Sequence, residues 1–120
     1  MSHQFTRDQR ILTSADFQRV FDNPLKSADS FFTVLAKTRI DEGPSRLGLA
    51  IAKKQLKRAV DRNRIKRLIR ETFRQNEMLS DKAIDLVVMT RHSVRAKTNH
   101  ELQQSLESLF NQVPAKLDQA

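Results

Sequence analysis

The chain has no cysteine, no tryptophan and no tyrosine. The first absence excludes disulfides, thiolate metal centres and a cysteine nucleophile. It fits a reducing compartment, and a cytoplasmic location is expected. The other two leave phenylalanine, histidine and arginine planes as the means of stacking on a base. Only two glycines and three prolines are present, so there is no glycine-rich phosphate loop. No run approaches the ~20 apolar residues of a membrane span. Residues Met1 to Arg7 contain no apolar stretch of the kind a secretory signal needs. Catalytic patterns are missing as well. No Ser/His/Asp signature or paired-carboxylate spacing occurs. His3, His92 and His100 are far apart in sequence and read as solvated side chains. No catalytic residue and no protein metal ligand is assigned.

Positive charge, by contrast, is abundant and concentrated. The 120 residues carry 22 Lys/Arg against 14 Asp/Glu, a formal net charge of +8. Between Lys53 and Arg74 stand ten basic residues and two acidic ones, so this segment accounts for the whole excess and the remaining residues sum to zero. A neutral scaffold with one positive segment calls for a polyanion. Arginine outnumbers lysine six to two within Lys57–Arg74. Guanidinium forks suit bidentate phosphate contacts better than ammonium groups do. Nucleic acid is therefore favoured over an anionic membrane, whose surface helix needs apolar residues free to insert.

The length fits a single domain over residues 1–120, with 1–12 as an N-terminal arm anchored by Phe5, Ile11 and Leu12, and 115–120 as a disordered tail. Thr13 or Ser14 caps a short helix in which Phe17, Val20 and Phe21 form one stripe. Asn23-Pro24 ends it. Leu25–Asp29 reads as a short strand and Ser30–Thr38 as a longer one, followed by a turn at Asp41–Ser45. From Arg46 to Ala52 the alternation is clean. Leu47, Leu49 and Ile51 share the core face, while Gly48, Ala50 and Ala52 leave a shallow face that a packed helix or a ligand could approach.

Residues 59–76 give the strongest helical signal. Ile65, Leu68, Ile69, Thr72 and Phe73 make its core stripe, and Arg62, Lys66 and Arg70 step along one flank. Asn63, Arg67 and Arg74 lie beside them, and Arg64 falls on the opposite flank near Glu71. Ala83–Thr90 is almost continuously apolar, as in a strand covered on both faces. Thr98 and Glu101 form a capping box for a last helix, which Pro114 is expected to follow. The order α-β-β-β-α-β-α predicts an α+β two-layer sandwich with a four-stranded sheet. Phe17 and Phe21 have two readings: core anchors of the first helix, or a platform for single-stranded bases.

The stretch Ala59-Val60-Asp61-Arg62-Asn63-Arg64-Ile65-Lys66-Arg67-Leu68-Ile69-Arg70-Glu71 resembles the signature of the bacterial ribonuclease P protein component, and Lys53-Lys54 matches the pair that precedes it. The likeness extends to Asp16–Phe21, Arg46–Leu49 and Ile84–Thr90, covering residues 5 to 112. It implies the accessory subunit of a ribonucleoprotein that removes the 5′ leader of precursor tRNA. The partners implied are a catalytic RNA and precursor tRNA, with Mg²⁺ held by the RNA and neither a membrane nor an obligate protein partner. The RNA-binding set implied is Lys53, Lys54, Arg58, Arg62, Asn63, Arg64, Lys66, Arg67 and Arg70. The leader cleft implied holds Phe17, Phe21, Gly48, Ala50 and Ala52. The resemblance also implies a left-handed β-α-β crossover, against the usual right-handed rule. A basic RNA-binding or RNA-chaperone module without a cleavage role, and a DNA or membrane binder, are the other classes.

Overall fold

The computed structural model describes residues 13–40, 43–79 and 82–119. The expected arm at 1–12 and the turn residues Asp41 and Glu42 lie outside them. Helix α1 (Ser14–Phe21) is capped by Thr13, whose hydroxyl accepts from the Asp16 N–H at 3.0 Å. It stops at Asp22, and Asn23 turns the chain with a φ of 54°, in the left-handed region that asparagine tolerates. Strand β1 (Leu25–Ala28) follows directly. The Asp29 carboxylate then accepts from the N–H groups of Phe31 and Phe32 at 2.8 and 2.9 Å, closing the turn into β2 (Phe32–Thr38). That turn explains why the strand begins two residues later than expected: Ser30 and Phe31 belong to the bend.

Strand β3 (Arg46–Leu49) is shorter than its alternation suggested. One further ladder bond forms from the Ala50 N–H to the Val88 carbonyl at 3.0 Å. Ala52 has left the strand, because its carbonyl accepts from Gln55 and Leu56 in a turn. Helix α2 (Ala59–Gln75), strand β4 (Ile84–Thr90), a 3₁₀ turn (His92–Ala96) and helix α3 (Asn99–Gln119) complete the chain. The expected capping box is present: Thr98 Oγ1 accepts from the Glu101 N–H and Glu101 Oε2 accepts from the Thr98 N–H, both at 3.2 Å.

The sheet order is β1-β2-β4-β3, with β4 antiparallel to β2 and parallel to β3. The observed α+β architecture is the expected one. The main core lies where one face of the sheet meets α2 and α3. Phe32, Val34, Leu47, Leu86 and Val88 from the strands meet Ile65, Ile69, Phe73, Leu106 and Phe110 from the helices. Phe73 and Phe110 pack edge to face, with ring centroids 6.1 Å apart. Thr72 joins this buried stripe because its hydroxyl donates to the Leu68 carbonyl at 2.8 Å. The opposite face carries a smaller cluster, in which Val20 of α1 meets Leu35 and Val87.

One boundary differs from expectation. Helix α3 runs through Pro114, and residues 115–119 are helical rather than a tail. Proline removes one backbone donor, but Leu117 continues the stripe of Leu106, Phe110 and Val113 and packs against the main core. Burial of that residue offsets the lost hydrogen bond.

Candidate nucleic-acid interface

Leu56 is fully buried and pins the turn that leads into α2. No side chain caps the first turn of this helix. Instead Arg62, one turn in, donates from Nη1 to the carbonyls of Leu56 and Lys57 at 2.9 and 2.8 Å. Arg64 is tied in the other direction. Its Nε donates to Asn99 Oδ1 at 2.8 Å and its Nη2 to the Lys97 carbonyl at 2.6 Å. It therefore joins α2 to the start of α3, while Glu71 pairs with Arg74 at 2.6 Å. The nine basic-site residues thus separate into two kinds. Lys53, Lys54, Arg58, Asn63, Arg67 and Arg70 are exposed and Lys66 is half-buried, while Arg62 and Arg64 hold neighbouring backbone.

Three contacts bring a second basic stretch against the first. His92 Nδ1 lies 3.3 Å from the Gln55 carbonyl, Arg95 Nε lies 3.4 Å from Asp61 Oδ2, and Arg64 holds Lys97 as described. Arg91, His92, Arg95 and Lys97 are all exposed. Sequence reasoning passed over them, although the signal was present: Arg91–His100 contains no acidic residue.

On the other face of the sheet, Phe17 is half-buried beside Val20, Leu35 and Val87, with Ala50 and Met89 packed against the same cluster. Phe17 is thus partly a core anchor. Phe21, 42% exposed, is not. Gly48 pairs with Val87 and is buried. Ala52, exposed in its turn, is not brought to this face. Of the five residues expected at a leader cleft, Phe17 and Ala50 therefore border the same cluster, Gly48 lies in the adjoining sheet, Phe21 stands at the helix end, and Ala52 is exposed beyond the end of β3.

Between α1 and the sheet lies a polar hub that the sequence did not reveal. Asp85 lies near the start of β4, an interior strand of the sheet, with its side chain fully buried. Its Oδ1 accepts from Arg39 Nη1 at 2.6 Å and from Arg46 Nε at 2.8 Å. Its Oδ2 accepts from Arg46 Nη2 at 2.7 Å and from Arg19 Nη2 of α1. Arg46 also reaches Asp16 of α1 at 3.3 Å. Burial pushes the Asp85 carboxyl up, but the hydrogen bonds and charges of Arg46 and Arg39 outweigh it and leave the group below the ordinary carboxylate range. Arg46 is correspondingly held more basic by its hydrogen bonds to Asp85. A single acid within an apolar strand was the only trace of the hub in the sequence.

Across residues 5–114 the chain matches a family model described as Ribonuclease P. The chain belongs to the ribonuclease P protein family. The ribonuclease P protein component of Pseudoalteromonas translucida (strain TAC 125) is 43% identical over 109 residues, covering 91% of this chain and 76% of that protein. Among solved structures, the Staphylococcus aureus RNase P protein superposes with a TM-score of 0.77 at 34% identity, over 88% of this chain and 94% of its own. The Thermotoga maritima RNase P protein gives a TM-score of 0.75 at 27% identity, over 86% and 96%. The family that the Arg-Asn-Arg helix suggested is therefore the correct one. Among the described residues of this ribonuclease P protein, no group of three His, Asp or Glu side chains could hold a metal ion, and no helix is long and apolar enough to cross a membrane.

Proposed function

We propose that this ribonuclease P protein, whose role lies in tRNA processing, binds a catalytic RNA through α2 and the single-stranded 5′ leader of precursor tRNA beside α1. The observation that carries the reading is the division of the molecule into two unlike faces. Exposed Arg58, Asn63, Arg67 and Arg70 project from α2, whose apolar stripe is consumed by the main core. Their charge is suited to phosphates, and Asn63 among them can read a base edge or a sugar hydroxyl. On the opposite side, half-buried Phe17 and exposed Phe21 offer apolar planes to unpaired bases.

In this reading the chain does no bond breaking. It neutralises phosphates, holds the leader and orders RNA that carries the Mg²⁺. The described side chains fit this division poorly to a metal-ligand role of their own, since the buried carboxylate Asp85 is already saturated by arginines. The test is reconstitution. The protein alone is expected to leave precursor tRNA intact at any Mg²⁺ concentration, and adding the RNA recovered with it from cells is expected to give cleavage at lower Mg²⁺ than the RNA needs alone. Recovery of ribosomal RNA with no cleavage on reconstitution would favour the RNA-chaperone reading instead.

A further inference from the structure

The Asp85 hub lies outside the basic helix and outside the aromatic pair, and nothing in RNA binding by α2 requires it. Its construction is specific. Four hydrogen bonds fill both carboxylate oxygens, which offer about four acceptor positions in all. The donors come from α1 (Arg19), from the end of β2 (Arg39) and from β3 (Arg46), while Asp85 itself lies on β4. Arg46 grips it bidentately, a geometry that fixes direction as well as distance.

Among the described residues, helix α1 otherwise meets the sheet through a small apolar contact made by Val20 and half-buried Phe17. Among the described residues its one fully buried side chain is Val20, which sits on Leu35 and Val87. Such a small apolar contact resists separation but tolerates sliding and rotation, because dispersion and burial are non-directional. Among the described residues the directional side-chain ties between α1 and the sheet are Arg19 to Asp85, Asp16 to Arg46, and Lys37 Nζ to the Asp22 carbonyl at 2.6 Å. Two of these three pass through the hub. Phe17 lies between Asp16 and Arg19 in sequence, so its position against the Val20, Leu35 and Val87 cluster follows from where those two are held.

We propose that Asp85 is a positioning residue for the RNA leader: through Arg19 and Arg46 it sets the pitch of α1 over the sheet, and so the place of the Phe17 ring against the Leu35 and Val87 surface that Ala50 and Met89 also border. This rests on the leader reading above. The occupant it serves is a single-stranded polynucleotide, whose bases stack on an aromatic ring only when the ring is correctly spaced from the opposing surface. The main core lies on the other face of the sheet, so the hub acts on the cleft without touching the α2 surface.

The experiment uses the protein reconstituted with its catalytic RNA. Affinities are measured for precursor tRNA with a leader of several nucleotides and for mature tRNA, beside the protein's melting temperature and its affinity for the catalytic RNA. Arg19→Met keeps the aliphatic stem and cuts the tie to α1, leaving Asp85 with Arg39 and Arg46. It is expected to lower the precursor-to-mature affinity ratio by about tenfold, the worth of one stacked base, with catalytic-RNA affinity unchanged. Asp85→Asn is expected to do at least as much. In an Arg19→Met background, Phe17→Ala is expected to cost less than it does alone, because the ring is already displaced. An unchanged ratio in folded Arg19→Met, or full additivity with Phe17→Ala, overturns the proposal, and this decides the matter even where Asp85→Asn fails to fold. A wild-type ratio near one would instead remove the leader reading on which it stands.

Discussion

Arg64 of α2 and Lys97, ahead of α3, are joined by a side-chain to backbone hydrogen bond of 2.6 Å. A guanidinium in the middle of the basic signature is thus engaged by the protein itself. Arg62, two residues earlier, is engaged in the same way by the Leu56 and Lys57 carbonyls. The two arginines flanking Asn63 hold backbone ahead of α2 and ahead of α3, while Asn63, Arg67 and Arg70 face outward.

Stability should therefore separate the arginines. Arg64→Ala is expected to lower stability by about 1 kcal/mol, the solvent-screened value of its charge-assisted hydrogen bonds. Arg62→Ala should act similarly. Arg67→Ala and Arg70→Ala should leave the melting temperature within a degree or two of wild type, roughly the effect of a neutral surface substitution, while weakening RNA binding. Equal melting temperatures for all four variants would contradict this division.

Binding to the RNA partner should depend steeply on salt. If about six exposed basic residues contact phosphates, affinity is expected to fall by about a thousandfold between roughly 50 and 200 mM monovalent salt. Filter binding across that range gives the slope. Removing Arg67 should reduce the slope by about one, whereas a slope near zero would mean that the positive segment is not the interface.

Core substitutions on α2 should rank by burial. Ile69 is fully buried and Leu68 only partly covered. Ile69→Ala is expected to cost about 2–5 kcal/mol through a cavity. Leu68→Ala should cost less, and denaturant midpoints will order the two.

Phe17 and Phe21 should part company. Phe17→Ala is expected to lower both stability and precursor binding, because the ring is packed on one side. Phe21→Ala, at 42% exposure, should leave stability nearly intact while weakening binding of a long leader. The comparison needs a melting curve and a leader-length series. Loss of stability in both variants with no leader effect would return both rings to the core.

The hub makes a prediction about acid. Asp85 has its folded pKa depressed, so its contribution to stability is present above the unfolded carboxyl value of about 3.9 and is lost as pH falls through the lower folded value. Urea midpoints taken between roughly pH 6 and 3 should show Asp85→Asn destabilised at the upper end and the gap to wild type closing at the lower end. A gap that widened on acidification would reverse the sign of the argument.

Features set by neighbours in sequence were legible from sequence. The Thr13 cap, the Thr98–Glu101 box and the α2 stripe each depend on residues within a few positions and stand where their patterns placed them, whereas the alternation of β3 holds only for its first residues and ends before Ala52. The hub was not legible, because it exists only when parallel pairing sets Arg46 opposite Asp85 and brings Arg39 and Arg19 to them. Nothing in the spacing of these four residues announces that. The division of the arginines was hidden for a related reason: their acceptors are carbonyls, which every residue has. Pro114 misled because its local penalty is plain in sequence, whereas the packing of Leu117 depends on the finished core.

The strand order has a consequence for how such a molecule comes into being. β4 lies between β2 and β3 in space but follows both in the chain. A nascent chain that has not yet reached Ile84 holds two strands on either side of a gap, and α2 has no completed surface on which to lay its apolar stripe. Sheet closure must wait for contacts between segments far apart in sequence, which are slow to form. During that interval the ten positive charges of residues 53–74 are already made. Affinity for polyanions thus precedes the shape that directs it, and for a short time in its synthesis the chain is a cation without an address.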